Sequence, residues 1–272
     1  MYVTSPERNE VKGHTLKKIR IRLDYHDIIQ VSTQSVKEIQ QLCAKINLTQ
    51  TTFRALDPYD FEVTDIDDGI TIPYEYLKDL KSRVFLNEDQ SIVLEINQFF
   101  MQVTQNVLSY ESYIRFSEME TLFNEASFII KQNEGLLRVR KVSVQKINEI
   151  YYRDMDSLAL DFNKNYLGLE AYEEFVDWNH PVSKLQKKNS FTINDSLMEV
   201  LTVLDNGQIE ENTPPILRLI LQFDNHLAMD FDEMPAEKVA EINDNIYKIF
   251  LKSFTSIGQD KIVTNQRLGE LW

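Results

Sequence analysis

A run of strands followed by a long helix is encoded by Val84–Asn133, which reads VFLNEDQSIVLEINQFFMQVTQNVLSYESYIRFSEMETLFNEASFIIKQN. Alternating apolar and polar residues in its first part predict a strand near Val84 and further strands at Ser91–Ile96 and Phe99–Thr104. The apolar spacing then changes to three and four residues, at Tyr113, Phe116, Met119, Leu122, Phe123, Ala126 and Ile130. That spacing predicts an amphipathic helix of about five turns, one face of which covers a sheet.

The same order of strands and helix recurs in residues 190–257. We expect FTINDSLMEVLTVL and PPILRLILQF to be long antiparallel partners that turn at Asp205–Gly207, because an Asn-Gly pair favours tight turns. The next helix is predicted to begin near Pro235 and to stop at Gly258. Its apolar face comprises Val239, Ile242, Ile246, Ile249, Phe250 and Phe254. The predicted fold is α+β with antiparallel sheets, in two similar halves that each place strands before a long amphipathic helix.

The 272 residues suffice for one large domain or two small ones. We expect an N-terminal α+β half at residues 1–153 and a C-terminal α+β half at residues 154–272, with one continuous domain as the alternative. A strand is predicted at Leu16–Leu23, where LKKIRIRL alternates. Thr49–Pro73 is predicted to be irregular, and Leu169–Trp178 to be a short helix.

A further helix is predicted from Ser32 onward, with Ser32 or Ser35 as its N-cap. Its apolar stripe consists of Val36, Ile39, Leu42, Cys43 and Ile46. Cys43 is the only cysteine, so it has no partner for an internal disulfide, and its place on this stripe predicts a role in core packing.

The charge balance is acidic, with 29 basic and 43 acidic residues and a net charge of −14. Generic binding to duplex DNA is therefore not expected, because the phosphate backbone attracts basic surfaces. The N-terminal residues lack the apolar stretch of a signal peptide, and no window reaches the roughly 20 apolar residues of a membrane span. We expect a cytoplasmic protein without membrane contact.

Several enzyme signatures are missing from the sequence. The seven glycines have spacings that fit no dinucleotide fingerprint, phosphate-binding loop or G-x-S-x-G elbow. There is no H-E-x-x-H and no C-x-x-C motif, and only four histidines are present. The acidic turn at Asp65–Gly69 has its glycine one position too early for a calcium loop. No resident cofactor is expected.

One cluster of possible metal ligands lies in FDNHLAMDFDEMP, and consists of Asp224, His226, Asp230 and Asp232. Oxygen and nitrogen ligands of this kind hold Mg²⁺ or Mn²⁺, and a bound ion of that type activates water for phosphodiester cleavage. The alternative interpretation is structural, because acidic residues at a helix entry are stabilised by the positive end of the helix dipole.

A short basic strip forms the second candidate site, at Arg138, Arg140 and Lys141. These residues lie in a predicted strand, LLRVRKVSVQ, and such a strip is suited to a phosphate or an acidic partner. The alternative is the solvated face of a strand. If the two halves meet where this strand and Asp224–Asp232 come together, the two candidate sites share one surface.

Four segments resemble an uncharacterised, sporadically distributed family of bacterial proteins of about this length. They are KIRIRLDY, the stretch from VFLNEDQ to SYIRF, LLRVRKVSVQKINEI, and the stretch from ILRLILQF to IFLKSF. In that family the third segment is an arginine-rich strand ending in asparagine, which Arg138, Arg140 and Asn148 approximate. The family's last helix carries a histidine near its start, whereas here His226 precedes the helix. The resemblance implies a patchy distribution typical of defence or mobile genes, and no activity.

Three functions are compatible with these observations. The first is a non-enzymatic binding or regulatory subunit that acts through protein contacts in a bacterial defence or mobile-element locus, with a partner encoded nearby or by self-association. The second is a nuclease or phosphodiesterase that depends on a divalent metal. The third is an acidic inhibitor of a nucleic-acid-binding protein.

Overall fold

The computed structural model describes residues 15–26, 29–56, 80–107, 116–134, 139–152, 184–207, 216–229 and 235–263. Nine strands and four helices lie within these ranges. The strands are β1 (Leu16–Tyr25), β2 (Gln50–Ala55), β3 (Lys81–Leu86), β4 (Ile92–Ile96), β5 (Phe100–Asn106), β6 (Val139–Tyr152), β7 (Lys184–Ile193), β8 (Ser196–Gly207) and β9 (Ile216–Ala228). The helices are α1 (Thr33–Lys45), α2 (Phe116–Glu134), α3 (Pro235–Lys252) and α4 (Ser256–Val263).

All nine strands form one sheet, in the order β2-β3-β4-β5-β1-β6-β9-β8-β7. Every pairing in it is antiparallel. The predicted α+β class with antiparallel strands is therefore confirmed. β1 and β6 lie side by side in the middle, so strands from both predicted halves belong to the same sheet.

The main core lies between one face of the sheet and the helices. Ile19, Ile21 and Leu23 of β1 are completely buried on this face, as the alternation in LKKIRIRL predicts. The spacing that predicts α2 and α3 is confirmed by the side chains that they bury, which include Met119, Leu122, Phe123, Ala126 and Ile130 of α2 and Val239, Ile242 and Ile246 of α3. Each large side chain buried in this way stabilises the fold by roughly 1.5–3 kcal/mol.

The first helix begins as its sequence predicts. Ser32 is the N-cap of α1, and its hydroxyl accepts a hydrogen bond from the Ser35 amide. At the other end, Asn47 has a left-handed φ of 64°, and the amides of Asn47 and Leu48 donate to the carbonyls of Ala44 and Cys43. This pattern is a Schellman motif.

Ile46 does not belong to the buried stripe of α1, contrary to the prediction. It is the C-cap residue and is 41% exposed, because the chain leaves the helical path there. Cys43 is fully buried, as expected.

Part of the predicted irregular region is a strand. β2 occupies Gln50–Ala55 and pairs with β3, and the other predicted residues from Asp57 to Pro73 lie outside the described residues. All six side chains of β2 are exposed. Because β2 has no buried face, its sequence lacks the alternation of apolar and polar residues by which strands are recognised.

The predicted turn at Asp205–Gly207 is wrong, because these residues form the end of β8. The tight turn of this region lies earlier, at Asn194 and Asp195, where the positive φ angles of 47° and 64° join β7 to β8. Two-residue hairpins require positive φ at both central positions, and Asn and Asp tolerate it. β8 and β9 pair antiparallel, as predicted.

The last long helix begins at Pro235, as predicted, but it ends at Lys252. Gly258 lies inside α4, so it is not the C-terminal stop of α3. The predicted short helix at Leu169–Trp178 lies outside the described residues. None of the helices in the described ranges has the length and apolar character that a membrane crossing requires.

Candidate functional site

The face of the sheet opposite α2 and α3 carries polar side chains in its central strands, and we call it the polar face. Alternation places Arg20, Arg22 and Asp24 of β1 on it, since their neighbours Ile21 and Leu23 point into the core. Each of these residues has a cross-strand partner on the neighbouring strands. The partners of Arg22 and of Arg20 continue from strand to strand and form two rows across the sheet.

The first row passes through Glu95, Gln102, Arg22, Ser143 and His226, on β4, β5, β1, β6 and β9. The second row passes through Thr104, Arg20, Gln145, Asp224 and Glu199, on β5, β1, β6, β9 and β8. In these two rows, strands that are distant in sequence thus bring six ionisable side chains onto one surface.

Arg22 and Asp24 form an ion pair at the centre of the polar face. Both Nε and one terminal nitrogen of Arg22 donate to Asp24 Oδ1 at 2.8 Å. The guanidinium also lies over the ring of Phe100, 3.9 Å from the ring centre. Because side-chain exposure is only 10% for Arg22 and 9% for Asp24, the pair is held in one geometry.

Glu95 is the centre of a second polar group. Its Oε2 accepts from Gln102 Nε2 at 2.9 Å and from an Arg54 terminal nitrogen at 3.1 Å. The Glu95 side chain is 1% exposed, whereas that of Arg54 is 55% exposed. The buried carboxylate is thus satisfied from both sides, as burial of a charge requires.

Two buried acceptors on the polar face have no donor within the described part of the chain. They are Oδ2 of Asp24 and Oε1 of Gln102. Both residues are 6% exposed. Gln102 is opposite Arg22, and Arg22 is two residues from Asp24 on β1. A buried acceptor without a donor is unusual in a folded protein, because it has lost its water without gaining a partner.

Asp224 and Glu199 face each other directly on β9 and β8. Like charges in that position repel, and here each carboxylate receives its own donors. Asp224 Oδ2 accepts from Gln145 Nε2 at 2.6 Å, and Glu199 pairs with Lys188 Nζ at 2.6 Å. His226 Nε2 lies 3.9 Å from Glu199.

A further charged group lies on the polar face at the other end of β6 and β9. Arg218 binds Asp205 with two parallel hydrogen bonds of 2.9 and 3.0 Å. The bond to Asp205 raises the pKa of Arg218. Tyr151 of β6 is opposite Arg218. Burial and then the hydrogen bond to Glu149 raise the pKa of Tyr151 to about 12. Tyr151 therefore stays protonated at neutral pH.

The described residues of the two sequence-predicted candidate sites lie on neighbouring strands. β6 pairs with β9 so that Lys141 is opposite Ala228, and the Met229 amide donates to the Arg140 carbonyl at 3.0 Å. Lys141 lies on the polar face, opposite Asp24 on β1. Arg140 falls where the register between β1 and β6 shifts, and Arg138 lies outside the described residues.

Of the predicted metal ligands, Asp224 and His226 both lie on the polar face, two residues apart on β9. Asp230 and Asp232 lie outside the described residues. Within the described ranges, no three His, Cys, Asp or Glu side chains are grouped closely enough to hold a metal ion.

Sequence reasoning missed Arg22, Asp24, Glu95 and Gln102. Their positions within alternating strands are visible in the sequence, and they identify the polar face of each strand. The sequence does not state which strands are neighbours, so it gives no indication that β4, β5 and β1 combine these side chains.

Burial raises the pKa of Cys43 to about 12, which keeps it a thiol in the core.

No family model and no curated protein matches the chain. Among solved structures, it is similar to Methanococcus jannaschii TBP at 11% identity, with 86% of this chain and 97% of that chain covered and a TM-score of 0.24. A likeness of this strength carries no argument about the function of the chain.

Proposed function

We propose that this chain is a non-enzymatic binding protein, an accessory or regulatory subunit that contacts a protein partner through its polar face. The observation that carries this proposal is the set of partly exposed ionisable side chains, Lys141, Glu199 and His226, that the strand order brings onto this one face. Charged groups that share one face steer a complementary partner and fix the register in which it docks.

The ion pairs on the polar face support a binding role. Arg22, Glu95, Glu199 and Arg218 each hold an oppositely charged side chain within 3.2 Å. Side chains fixed in this way present a pre-organised surface, so little conformational entropy is lost when a partner docks. A defence or mobile-element locus is the proposed setting, and its support is the family resemblance of four segments.

The experiment is co-expression of the tagged chain with the product of each adjacent gene, followed by measurement of the dissociation constant of any complex. We expect Asp24→Asn and Lys141→Glu to weaken the complex about tenfold or more, because charge pairs at the centre of an interface contribute most of its specificity. Lys37→Glu is the matched control, since Lys37 is an exposed residue of α1 on the other side of the sheet.

Circular dichroism of each variant verifies folding, and Lys141→Glu remains informative if Asp24→Asn unfolds. Equal affinities for the Lys141→Glu and Lys37→Glu variants would contradict the role of the polar face. Mn²⁺-dependent nuclease activity that disappears in Asp224→Ala would contradict the non-enzymatic proposal and favour the metal-dependent alternative.

We also propose that the two halves repeat one plan of strands and helix. Its support is the strand order, in which β1 pairs with β5 and β6 pairs with β9, while α2 follows β5 and α3 follows β9. A crystal structure in which β1 to α2 superposes on β6 to α3 with the helices in register would support this proposal. Superposition of the strands alone would contradict it.

A further inference from the structure

The two edges of the sheet differ in how well they are protected. β7, at one edge, contains Lys187 and Lys188, and charged side chains of this kind prevent another strand from pairing with an edge. β2, at the other edge, reads QTTFRA and contains no lysine, and its one charged residue is already bonded to Glu95. β2 is therefore the edge that can accept a further strand.

The direction of the main-chain groups of β2 follows from its register with β3. The Leu56 amide donates to the Leu80 carbonyl, and the same register continues from Ala55 to Gln50. Hydrogen-bonded and non-hydrogen-bonded pairs alternate in an antiparallel ladder. The main-chain groups of Thr52 and Arg54 thus point toward β3, and those of Thr51, Phe53 and Ala55 point outward.

The side chains beside this edge favour an acidic and partly apolar segment. Phe53 is 60% exposed, and the Arg83 guanidinium lies 5.2 Å from the centre of its ring. Lys81 is exposed opposite Ala55, on the same face of the sheet as Phe53 and Arg83. This local positive charge stands out in a chain of net charge −14.

We propose that the outer edge of β2 binds an extended acidic segment of a partner protein by strand addition. The added strand bonds the outward groups of Thr51, Phe53 and Ala55, packs an apolar or aromatic residue beside Phe53, and places carboxylates near Arg83 and Lys81. This surface is separate from the polar face, so it is a second contact beyond the proposed function.

The probe is a synthetic peptide, Thr-Glu-Thr-Phe-Thr-Glu-Thr, and its control has lysine in place of both glutamates. We expect the acidic peptide to bind and the basic one not to bind, and we expect added salt to weaken the binding because the charges are exposed. Hydrogen exchange at Thr51, Phe53 and Ala55 should slow in the complex. Thr52 and Arg54 should change little, because their amides already bond β3.

Two variants test the two sources of recognition. Thr51→Pro removes an outward donor, and an edge strand tolerates proline at such a position. We expect it to weaken peptide binding about tenfold, because proline lacks a donor and obstructs close approach. Gln186→Pro is the matched control. Ile193 and Ser196 close the β7–β8 hairpin as a bonded pair, so alternation makes Gln186 an outward position of β7.

The double variant Lys81→Glu, Arg83→Glu should reverse the preference, so that the lysine peptide binds better than the glutamate peptide. It remains informative if Thr51→Pro detaches β2. Absence of binding, or protection of other amides, would overturn the proposal. Protection of Thr51, Phe53 and Ala55 that grows with protein concentration in the absence of peptide would indicate a second copy of the chain as the occupant, and would also overturn it. Polar-face variants should leave peptide binding unchanged, whatever their effect on the proposed partner.

Discussion

Glu134, the last residue of α2, holds the beginning of α1 in place. One of its carboxylate oxygens accepts from the Ser32 amide at 2.8 Å and from the Ser35 hydroxyl at 2.5 Å. Burial acts to raise the pKa of Glu134, but the bonds from Ser35 and Ser32 outweigh it, and the pKa is lowered. A carboxylate at a helix N-terminus is also favoured by the helix dipole.

We predict that Glu134→Gln lowers the free energy of unfolding by about 1 kcal/mol near neutral pH, a value that allows for solvent screening of a partly exposed carboxylate. Because the pKa is lowered on folding, the charged form stabilises the protein above the ordinary glutamate pKa. That stabilisation is lost as the pH falls through the lowered value. Urea unfolding of the variant and the parent should therefore differ at neutral pH and converge in acid.

Glu125→Gln is the control for this prediction, because Glu125 is an exposed residue of the same helix. A destabilisation that is equally large in the two variants, or one that persists unchanged in acid, would show that the Glu134 carboxylate does not act as a cap for α1.

The β7–β8 hairpin is fixed by the two residues of its turn and by α3. Asn194 and Asp195 both have positive φ. The Asn194 amide group donates to Asn245 Oδ1 at 3.3 Å, and Asn245 Nδ2 donates to the Ser196 hydroxyl at 3.3 Å. α3 thus holds the end of the hairpin through a single asparagine.

We predict that Asp195→Val lowers the free energy of unfolding by about 1–2 kcal/mol, because a β-branched residue is disfavoured at a left-handed position. Asp195→Gly is the matched variant. It should be at least as stable as the parent, since glycine adopts positive φ without steric cost. Thermal unfolding of the three proteins measures the difference. Equal stability of the Val and Gly variants would show that the turn is not left-handed in solution.

The central pairing of β1 with β6 joins everything on either side of it. Ile21 is opposite Val103 of β5 and Val144 of β6, and all three are fully buried. Strands from residues 16–106 and from residues 139–228 therefore belong to one sheet and share one core cluster. A cavity at Ile21 should therefore destabilise the strands on both sides of β1 and β6, because protein interiors are close-packed.

We predict that Ile21→Ala lowers the free energy of unfolding by about 2–5 kcal/mol, as expected when a buried side chain leaves a cavity. Hydrogen exchange should show β5 and β9 losing the same amount of protection, in one cooperative transition. Phe128→Ala is the control, since this side chain is 54% exposed on α2. Two separate transitions would instead indicate that residues 1–153 and 154–272 are independent domains.

The sequence by itself determined the strands and helices whose apolar residues recur at a regular spacing or whose start is marked by a capping residue. Ile19, Ile21 and Leu23 reveal the buried face of β1, the three- and four-residue spacing reveals α2 and α3, and Ser32 marks the start of α1. In each case the physical cause is local, because a residue's neighbours along the chain decide both its face and its cap. β2 was missed for the same reason, since an exposed strand has no periodic burial.

Only the tertiary structure decided which strands are neighbours, and with them the candidate site. The separation along the chain between Gln102 and Arg22, or between Gln145 and Asp224, contains no information about their pairing. Their contact depends on the order of the strands and on a register set by the whole buried face. The hairpin turn shows the same limit, because Asn206 and Gly207 match a turn motif, yet their pairing with Leu217 and Ile216 of β9 keeps them in a strand. Local chemistry thus produced the elements, and long-range pairing assembled the polar face.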